Sequence, residues 1–278
     1  MKLWEGLGYY SRVRNLKKAA ILVMQNYGGQ LPDDYEKLRS LPGIGNYTAG
    51  AILSIAFGKR AAAVDGNVLR VLSRLTGFDG DVLQTESKKW AEQTAFALCP
   101  EDRPGDFTQA LIELGATVCV PNGEAKCVCC PLADQCFANK NGKTDVLPVK
   151  TGKKPRKLEN RTVFVLYDRD RDCYYIDRRP EKGLLAGLYE FPNSEADYSD
   201  KDAVAKARQM GFEPLRIEPL TPAVHIFTHK EWHMRGYLLE GYALTDCVLI
   251  GAKTEDLKTV YAIPSAFSAF LKQIGITK

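Results

Sequence analysis

Apolar positions recur every three or four residues through the first half of the chain, and in β-like runs through the second. Over residues 11–27, Val13, Leu16, Ala20 and Val23 fall on one stripe that stops at Gly28-Gly29, which predicts a helix. Asp33-Asp34 opens a short helix that ends before Pro42. Residues 46–57 and 66–75 predict two more, and residues 85–98 and 106–118 a further pair, each with an Asp, Ser or Thr near its start. No strand-like alternation of any length occurs among them.

The texture changes after the last clustered cysteine. Residues 149–161 hold six basic side chains (Lys150, Lys153, Lys154, Arg156, Lys157, Arg161), one acid and a proline, a composition that predicts an exposed linker. Strand-like runs follow at 162–167, 173–176 and 232–244, interrupted by a helical stretch at 201–210 and closed by another at 264–274. The pattern predicts an all-α domain over 1–138, a basic linker over 139–160 and an α+β domain over 161–278, with no internal repeat.

Composition narrows this little. With 45% hydrophobic and 26% charged residues among 278, the chain can bury proper cores and is not a disordered one. No apolar run approaches the roughly 18 residues that a membrane span needs, and Met1-Lys2-Leu3-Trp4-Glu5-Gly6 lacks an apolar signal region. A net charge of +4 is compatible with nucleic acid without pointing to it. The cysteines are more telling. Cys127, Cys129, Cys130 and Cys136 fall within ten residues, with Cys119 just upstream. Clustered thiols in a chain without an export signal suggest a metal site rather than a disulfide framework.

Three local features carry chemistry. In Leu41-Pro42-Gly43-Ile44-Gly45, two glycines allow a tight turn whose N–H groups face outward, beside the positive end of the next helix; a phosphate suits that arrangement. An ordinary connection between helices is the bland alternative. Asp65, in Val64-Asp65-Gly66-Asn67-Val68, stands at the mouth of a helix, where an N-cap would also stand. Cys127, Cys130 and Cys136 have two and five residues between them, and seven separate Cys119 from Cys127. Four thiolates so spaced can wrap a 4Fe-4S cluster, and a tetrahedral zinc site is the rival.

In their order, these motifs resemble the MutY-type adenine DNA glycosylases of the helix–hairpin–helix superfamily, over nearly the whole chain. The resemblance implies a multidomain protein: an all-α helix–hairpin–helix glycosylase domain with an iron–sulfur loop at 119–136, then an α+β Nudix-like domain. It implies that Gly43 and Gly45 grip the DNA backbone. It also implies that Asp65, with Asn67 beside it, faces the sugar of a flipped-out nucleotide, where a fixed negative charge opposes the positive charge that builds as the N-glycosidic bond breaks. Strand-cutting members carry a lysine where this chain has Tyr47, and a phenol cannot form a Schiff base, so the implied enzyme is monofunctional; Tyr47 as a plain core aromatic is the alternative. The cysteine spacing resembles the family's cluster loop, Pro131 included, although the first interval is one residue longer than usual. A bulge over 120–126 would absorb the excess; Cys129 in place of Cys130 would be a poorer ligand. Lys126 is a candidate for phosphate contact or an ordinary surface lysine.

The segment Trp4-Glu5-Gly6-Leu7-Gly8-Tyr9-Tyr10-Ser11-Arg12-Val13-Arg14-Asn15-Leu16 is very close to a MutY segment whose residues matching Leu7 and Tyr9 press into the duplex beside the lesion; a buried helix start is the alternative. Arg12 and Arg14 could reach the backbone or be solvated. Gly183-Leu184-Leu185-Ala186-Gly187-Leu188-Tyr189-Glu190-Phe191-Pro192 is similar to the MutT-like domain of that family. The following helix, read over 203–209, lacks the carboxylates that would hold Mg²⁺, which makes the domain a reader rather than a hydrolase. Phe227, Thr228 and His229 match a Phe-Ser-His that senses 8-oxoguanine, in a stretch that holds all three histidines and reads as a strand, where a metal site is a poor fit.

The implied function is an A/G-specific adenine glycosylase of base-excision repair, containing a 4Fe-4S cluster and acting as a monomer on double-stranded DNA with A:8-oxoguanine or A:G mispairs. No membrane partner is expected, and the expected location is cytoplasmic, at the nucleoid, as for a bacterial-type protein. The family's acid, a glutamate that protonates the departing adenine, would lie before Met1; Glu5 belongs to a different motif. On that reading these residues alone excise adenine poorly. A non-catalytic lesion-recognition remnant is the second reading. A relative of endonuclease III acting on oxidised pyrimidines is the third, disfavoured by Tyr47 and the reader domain.

Overall fold

The computed structural model describes residues 1–152 and 155–277; Lys153 and Lys154 of the expected linker lie outside them. The chain divides into two compact units, Arg14–Lys153 and, joined across the sequence, Met1–Val13 with Lys154–Lys278. The expectation had placed residues 1–13 with the helical domain. The structure groups them with the C-terminal residues.

Six helices come where the sequence places them: α1 Ser11–Asn26, α2 Tyr35–Ser40, α3 Asn46–Ala51, α4 Gly66–Thr76, α5 Thr85–Leu98 and α6 Pro104–Glu113; the short α7 Phe137–Lys140 was not anticipated. Asp34 starts α2 by accepting from Lys37 N, and Gly77, with φ +81°, closes α4 in the left-handed conformation. Two predicted helices change character before they end. Residues 46–57 run as α3 and then a π-type turn, Ile52–Ala56; residues 106–118 run as α6 and then a second, Leu114–Val118. Helix α6 also begins earlier than its acidic start implied, because Pro104 suits the first turn. Close backbone approach accompanies both π turns. A Cβ on Gly105 would stand 2.8 Å from Ser54 O, and one on Gly115 would stand 2.6 Å from Asn67 Cβ. Two apolar clusters hold the unit: one around Val23, Leu38, Leu41 and Leu53, the other around Val68, Val71, Leu72 and Leu111.

The other unit is a mixed sheet with helices: β1 Lys157–Asp168, β2 Cys173–Arg178, β3 Tyr189–Glu190, β4 Asn193–Ser194, α8 Asp200–Gln209, β5 Phe212–Ile226, β6 Lys230–Ala243, β7 Ile250–Ala252, α9 Thr254–Thr259 and α10 Ser268–Gln273. Strand order is β3-β2-β1-β6-β5, with β4 on β1 and β7 on β2, and only β1 and β6 run parallel. Alternation along β1 splits the core in two: Val163 and Val165 pack with Trp232, Phe267 and Phe270, while Phe164 and Leu166 pack with Phe212, Tyr237 and Ala207. Helix α8 carries Asp200 and Asp202 in its first turn, ahead of the stretch read as free of carboxylates, and Asp202 bonds the capping Ser199.

The strands differ from the expectation in several places: the short β3, β4 and β7 were not anticipated, and β1 and β5 depart most. The linker is shorter at both ends, since residues 137–140 form α7 and residues 157–161 already belong to β1. Basic residues disguised that strand, yet Arg161 keeps only 14% of its side chain exposed. Of β5 only the end near His225 was read as a strand, in a stretch expected to run on through 227–229, where the structure has a turn instead; Pro214, Pro219 and Pro222 interrupt the rest of its pattern. Strand β5 lies at the sheet edge, where missing N–H donors are tolerated, and its register shifts at Pro214/Arg216 and Leu220/Ala223.

Candidate functional site

In the Arg14–Lys153 unit, the turn between α2 and α3 has the expected shape. Gly43 sits at φ +83°, and a Cβ there would meet Asn15 Cβ at 2.7 Å, so conformation and space both require glycine. Gly45 is the N-cap of α3 and supplies no side-chain cap. The helix's first N–H groups thus face an end suited to an external anion.

Asp65 is the N-cap of α4. Its Oδ1 accepts from Asn67 N and Val68 N, both at 2.8 Å, and its Oδ2 accepts from Asn67 Nδ2 at 2.9 Å. The capping reading is therefore observed, and it holds the carboxylate in one half-buried orientation. Asn67 extends the connection, since its Oδ1 accepts from Arg70 Nη2 at 2.9 Å. Arg70 also donates to Gly115 O at 2.6 Å and, through Nε, to Cys119 O at 2.7 Å. Burial, and the neighbouring Arg74, pull the Arg70 guanidinium below its ordinary pKa, against the opposing influence of Cys119 and Asp65. Tyr47 is 39% exposed; burial, and then the charge of Asp65, raise its phenol. The structure thus brings Tyr47, Asp65 and Asn67 into one electrostatic neighbourhood.

Cys119, Cys127, Cys130 and Cys136 line a single small cleft of about 30 Å³, with Arg74, Lys126, Asn139 and Thr144 around them. Among the described residues, no three His, Cys, Asp or Glu side chains converge as ligands of one metal ion would. Zn–S bonds of about 2.3 Å would draw four sulfurs to within about 4 Å of each other. Burial raises the Cys127 thiol, and the neighbouring Cys136, Cys119 and Cys130 raise it further. Arg74 supplies the opposing charge: its Nη1 donates to Cys119 Sγ at 3.2 Å, and its backbone oxygen accepts from Cys136 Sγ at 3.3 Å. Cys129 does not line the cleft; it is exposed, with Sγ toward Lys126 O. The long first interval turns at Gly123, φ +76°, and closes with Lys126 N donating to Val118 O at 3.1 Å.

The remaining expected residues gather in the other unit. Phe227, Thr228 and His229 form the turn between β5 and β6, closed by Phe227 N donating to Lys230 O at 2.8 Å. The Phe227 ring meets His225 and Trp232 edge to face, with centroids 4.6 Å and 4.8 Å away. Leu7 and Tyr9 stand 60% and 71% exposed, so they are not the buried helix start that was the alternative. Tyr9 Oη lies 3.5 Å from Thr228 Oγ1, and the Arg12 guanidinium lies over the Tyr9 ring. Tyr9, with Arg12 over its ring, therefore stands beside the 227–229 turn within this unit.

Sequence reasoning missed Arg70 and Arg74, two buried arginines one turn apart in an otherwise apolar helix. That misfit was their only signal. It also missed Glu159, whose carboxylate is 1% exposed and binds Lys157, Lys230 and Trp232 Nε1 beneath the 227–229 turn.

A helix-hairpin-helix motif model matches residues 26–55, and a NUDIX domain model matches residues 162–273. The human adenine DNA glycosylase is 34% identical over 91% of this chain and 56% of its own length. The adenine DNA glycosylase of Buchnera aphidicola (Acyrthosiphon pisum strain APS) is 29% identical over 85% of this chain and 66% of its own. The chain belongs to the adenine DNA glycosylase family. It spans 56% of the human glycosylase's length and 66% of the Buchnera one's. A non-covalent endonuclease III–DNA complex is 32% identical over 49% of this chain and 61% of that protein, with a TM-score of 0.41. Among the described residues, no helix of this glycosylase homologue is long and apolar enough to cross a membrane.

Proposed function

We propose that this chain carries the nucleotide-facing aspartate and the lesion reader of a monofunctional, A/G-specific adenine glycosylase, acting as a monomer on A:8-oxoguanine and A:G mispairs. The observation that carries the reading is Asp65: a half-buried carboxylate, both oxygens held, beside Tyr47 and in the unit with the Gly43–Gly45 turn. Binding begins at that turn, whose N–H groups and α3 terminus suit a backbone phosphate, with Lys126 a further phosphate contact. Asp65 opposes the positive charge that develops on the extruded sugar; Asn67 keeps the carboxylate aimed, and Tyr47 lies beside it without forming a covalent bond. The departing adenine also needs a proton donor. Glu5 is not that donor, because its carboxylate is engaged by Lys2 and Ile263 N. Thr228 and its neighbours Phe227 and His229 read the opposing base, while Leu7 and Tyr9 enter the duplex beside it and Arg12 follows the backbone.

Cys119, Cys127, Cys130 and Cys136 would hold a 4Fe-4S cluster. When bound, it supplies metal–thiolate bonds that fix residues 119–136, and glycosidic hydrolysis needs no electron from it. Brown colour with stoichiometric iron and sulfide, lost in Cys130→Ser and kept in Cys129→Ser, is expected.

The test is binding and adenine release, compared between A:8-oxoguanine and A:T duplexes. A marked preference for the lesion duplex is expected, with any release abolished by Asp65→Asn. Equal binding of both duplexes would sink the reader half, and release that survives Asp65→Asn would sink the catalytic half.

A further inference from the structure

We infer that Glu5 is a positioning residue that clamps the Leu7–Tyr9 loop onto the Nudix-like unit, so that the duplex-inserting side chains and the lesion-reading turn move as one rigid tool. The inference rests on the proposed roles of Leu7, Tyr9 and Thr228. Glu5 Oε1 accepts from Ile263 N at 2.9 Å, and Oε2 pairs with Lys2 Nζ at 2.6 Å. Lys2 Nζ in turn donates to Leu257 O and Tyr261 O, each at 3.1 Å. Ile263 belongs to the main apolar core of that unit, so the clamp is anchored on rigid ground.

The loop between the clamp and α1 is built to present two side chains. Gly6, Tyr9 and Gly8 adopt φ +84°, +46° and +66°. A left-handed tyrosine persists only where its surroundings over-determine it. They do so here from below. Tyr10 is buried with Leu188 and Ala262, and Trp4 and Leu185 pack against that group. The Tyr10 hydroxyl accepts from Gly6 N at 3.3 Å, and Trp4 Nε1 donates to Gly8 O at 3.1 Å. Glu5 and Tyr10 thus pin the two ends of the loop while Leu7 and Tyr9 stay exposed.

Rigidity matters because a wedge must part stacked bases. A slack loop would have to be ordered at the moment of insertion, at a cost in backbone entropy for every residue fixed. Glu5 removes that cost in advance. It touches no substrate, and its effect passes through Leu7, Tyr9 and the 3.5 Å approach of Tyr9 to Thr228.

The experiment uses the full chain and a duplex with 2-aminopurine beside the 8-oxoguanine of an A:8-oxoguanine pair, against the same duplex with guanine there. For Glu5→Ala, the preference for the lesion duplex is expected to fall about tenfold, the weight of one charge-assisted hydrogen bond. The fluorescence rise on insertion should fall with it, and amide exchange at residues 6–10 should quicken. Glu5→Gln, which keeps an oxygen for Ile263 N, should restore most of both signals. Circular dichroism of Glu5→Ala should match the unsubstituted chain, separating loss of position from loss of fold. Unchanged preference and fluorescence in Glu5→Ala, or Glu5→Gln as impaired as Glu5→Ala, would overturn the assignment. No insertion signal from the unsubstituted chain would instead sink the reading of Leu7 and Tyr9, and the proposal with it.

Discussion

Asp65 holds two jobs that substitution can separate. Its Oδ1 caps α4 through Asn67 N and Val68 N, and a cap lost to alanine costs about 1 kcal/mol, so Asp65→Ala should shift the denaturant midpoint accordingly. Asparagine caps nearly as well as aspartate, so Asp65→Asn should leave that midpoint almost unchanged. It removes the charge facing the sugar, however, and any adenine release should drop at least about a hundredfold in single turnover. Glu159 is the second residue with a measurable signature. Burial alone would raise its carboxyl, but hydrogen bonds from Lys230, Lys157 and Trp232 outweigh it and hold the group at about 2, against an ordinary 4.5. Because the folded value lies below the unfolded one, this stabilisation is complete above about pH 4.5 and is lost as pH falls through about 2. Glu159→Gln should flatten that acid limb in urea titrations and cost about 3 kcal/mol at neutral pH, as breaking a buried charge cluster does.

At the scale of elements, the glycines of the helical unit divide by what surrounds them. Gly50, within α3, faces Ala62 O, which an added Cβ would approach to 1.8 Å. Gly50→Ala should therefore destabilise the unit by about 3 kcal/mol or more, the upper end of overpacking. Gly66, the first residue of α4, has nothing within 4 Å of such a Cβ, so Gly66→Ala should be neutral or slightly stabilising. Thermal melts of both variants test the pair together. The helices were legible in the sequence because their caps and stripes are local: Asp34, Asp65 and Gly77 act within four residues of where they stand. The π turns were not legible, since they arise where Gly105 and Gly115 let separate segments touch. Most of strand β5 escaped because its prolines read as breakers until its position at the edge of the sheet is known.

For the whole molecule, the division into Arg14–Lys153 and the discontinuous second unit decides which residues share a compact unit. All four cleft cysteines lie in the first. Removal of a bound cluster should lower the unfolding temperature of that unit and leave hydrogen exchange of the β1 and β6 core amides unchanged. An equal loss of protection in β1 and β6 would show that the cluster's influence is not confined to its own unit. What the sequence by itself determined are the features written in short intervals: the hairpin glycines, the capping aspartate, and the cysteine ladder with Cys130 rather than Cys129 at the cleft. Each is set by turn geometry or helix periodicity within a few residues. Only the tertiary structure decided that Tyr9 stands beside Thr228, that Arg70 joins Asn67 to the Cys119 backbone, and that Glu5 meets the Ile263 N–H. The Glu5–Ile263 hydrogen bond spans 258 residues. A carboxylate's role depends on which donor meets it, and no local pattern records a donor that far along the chain.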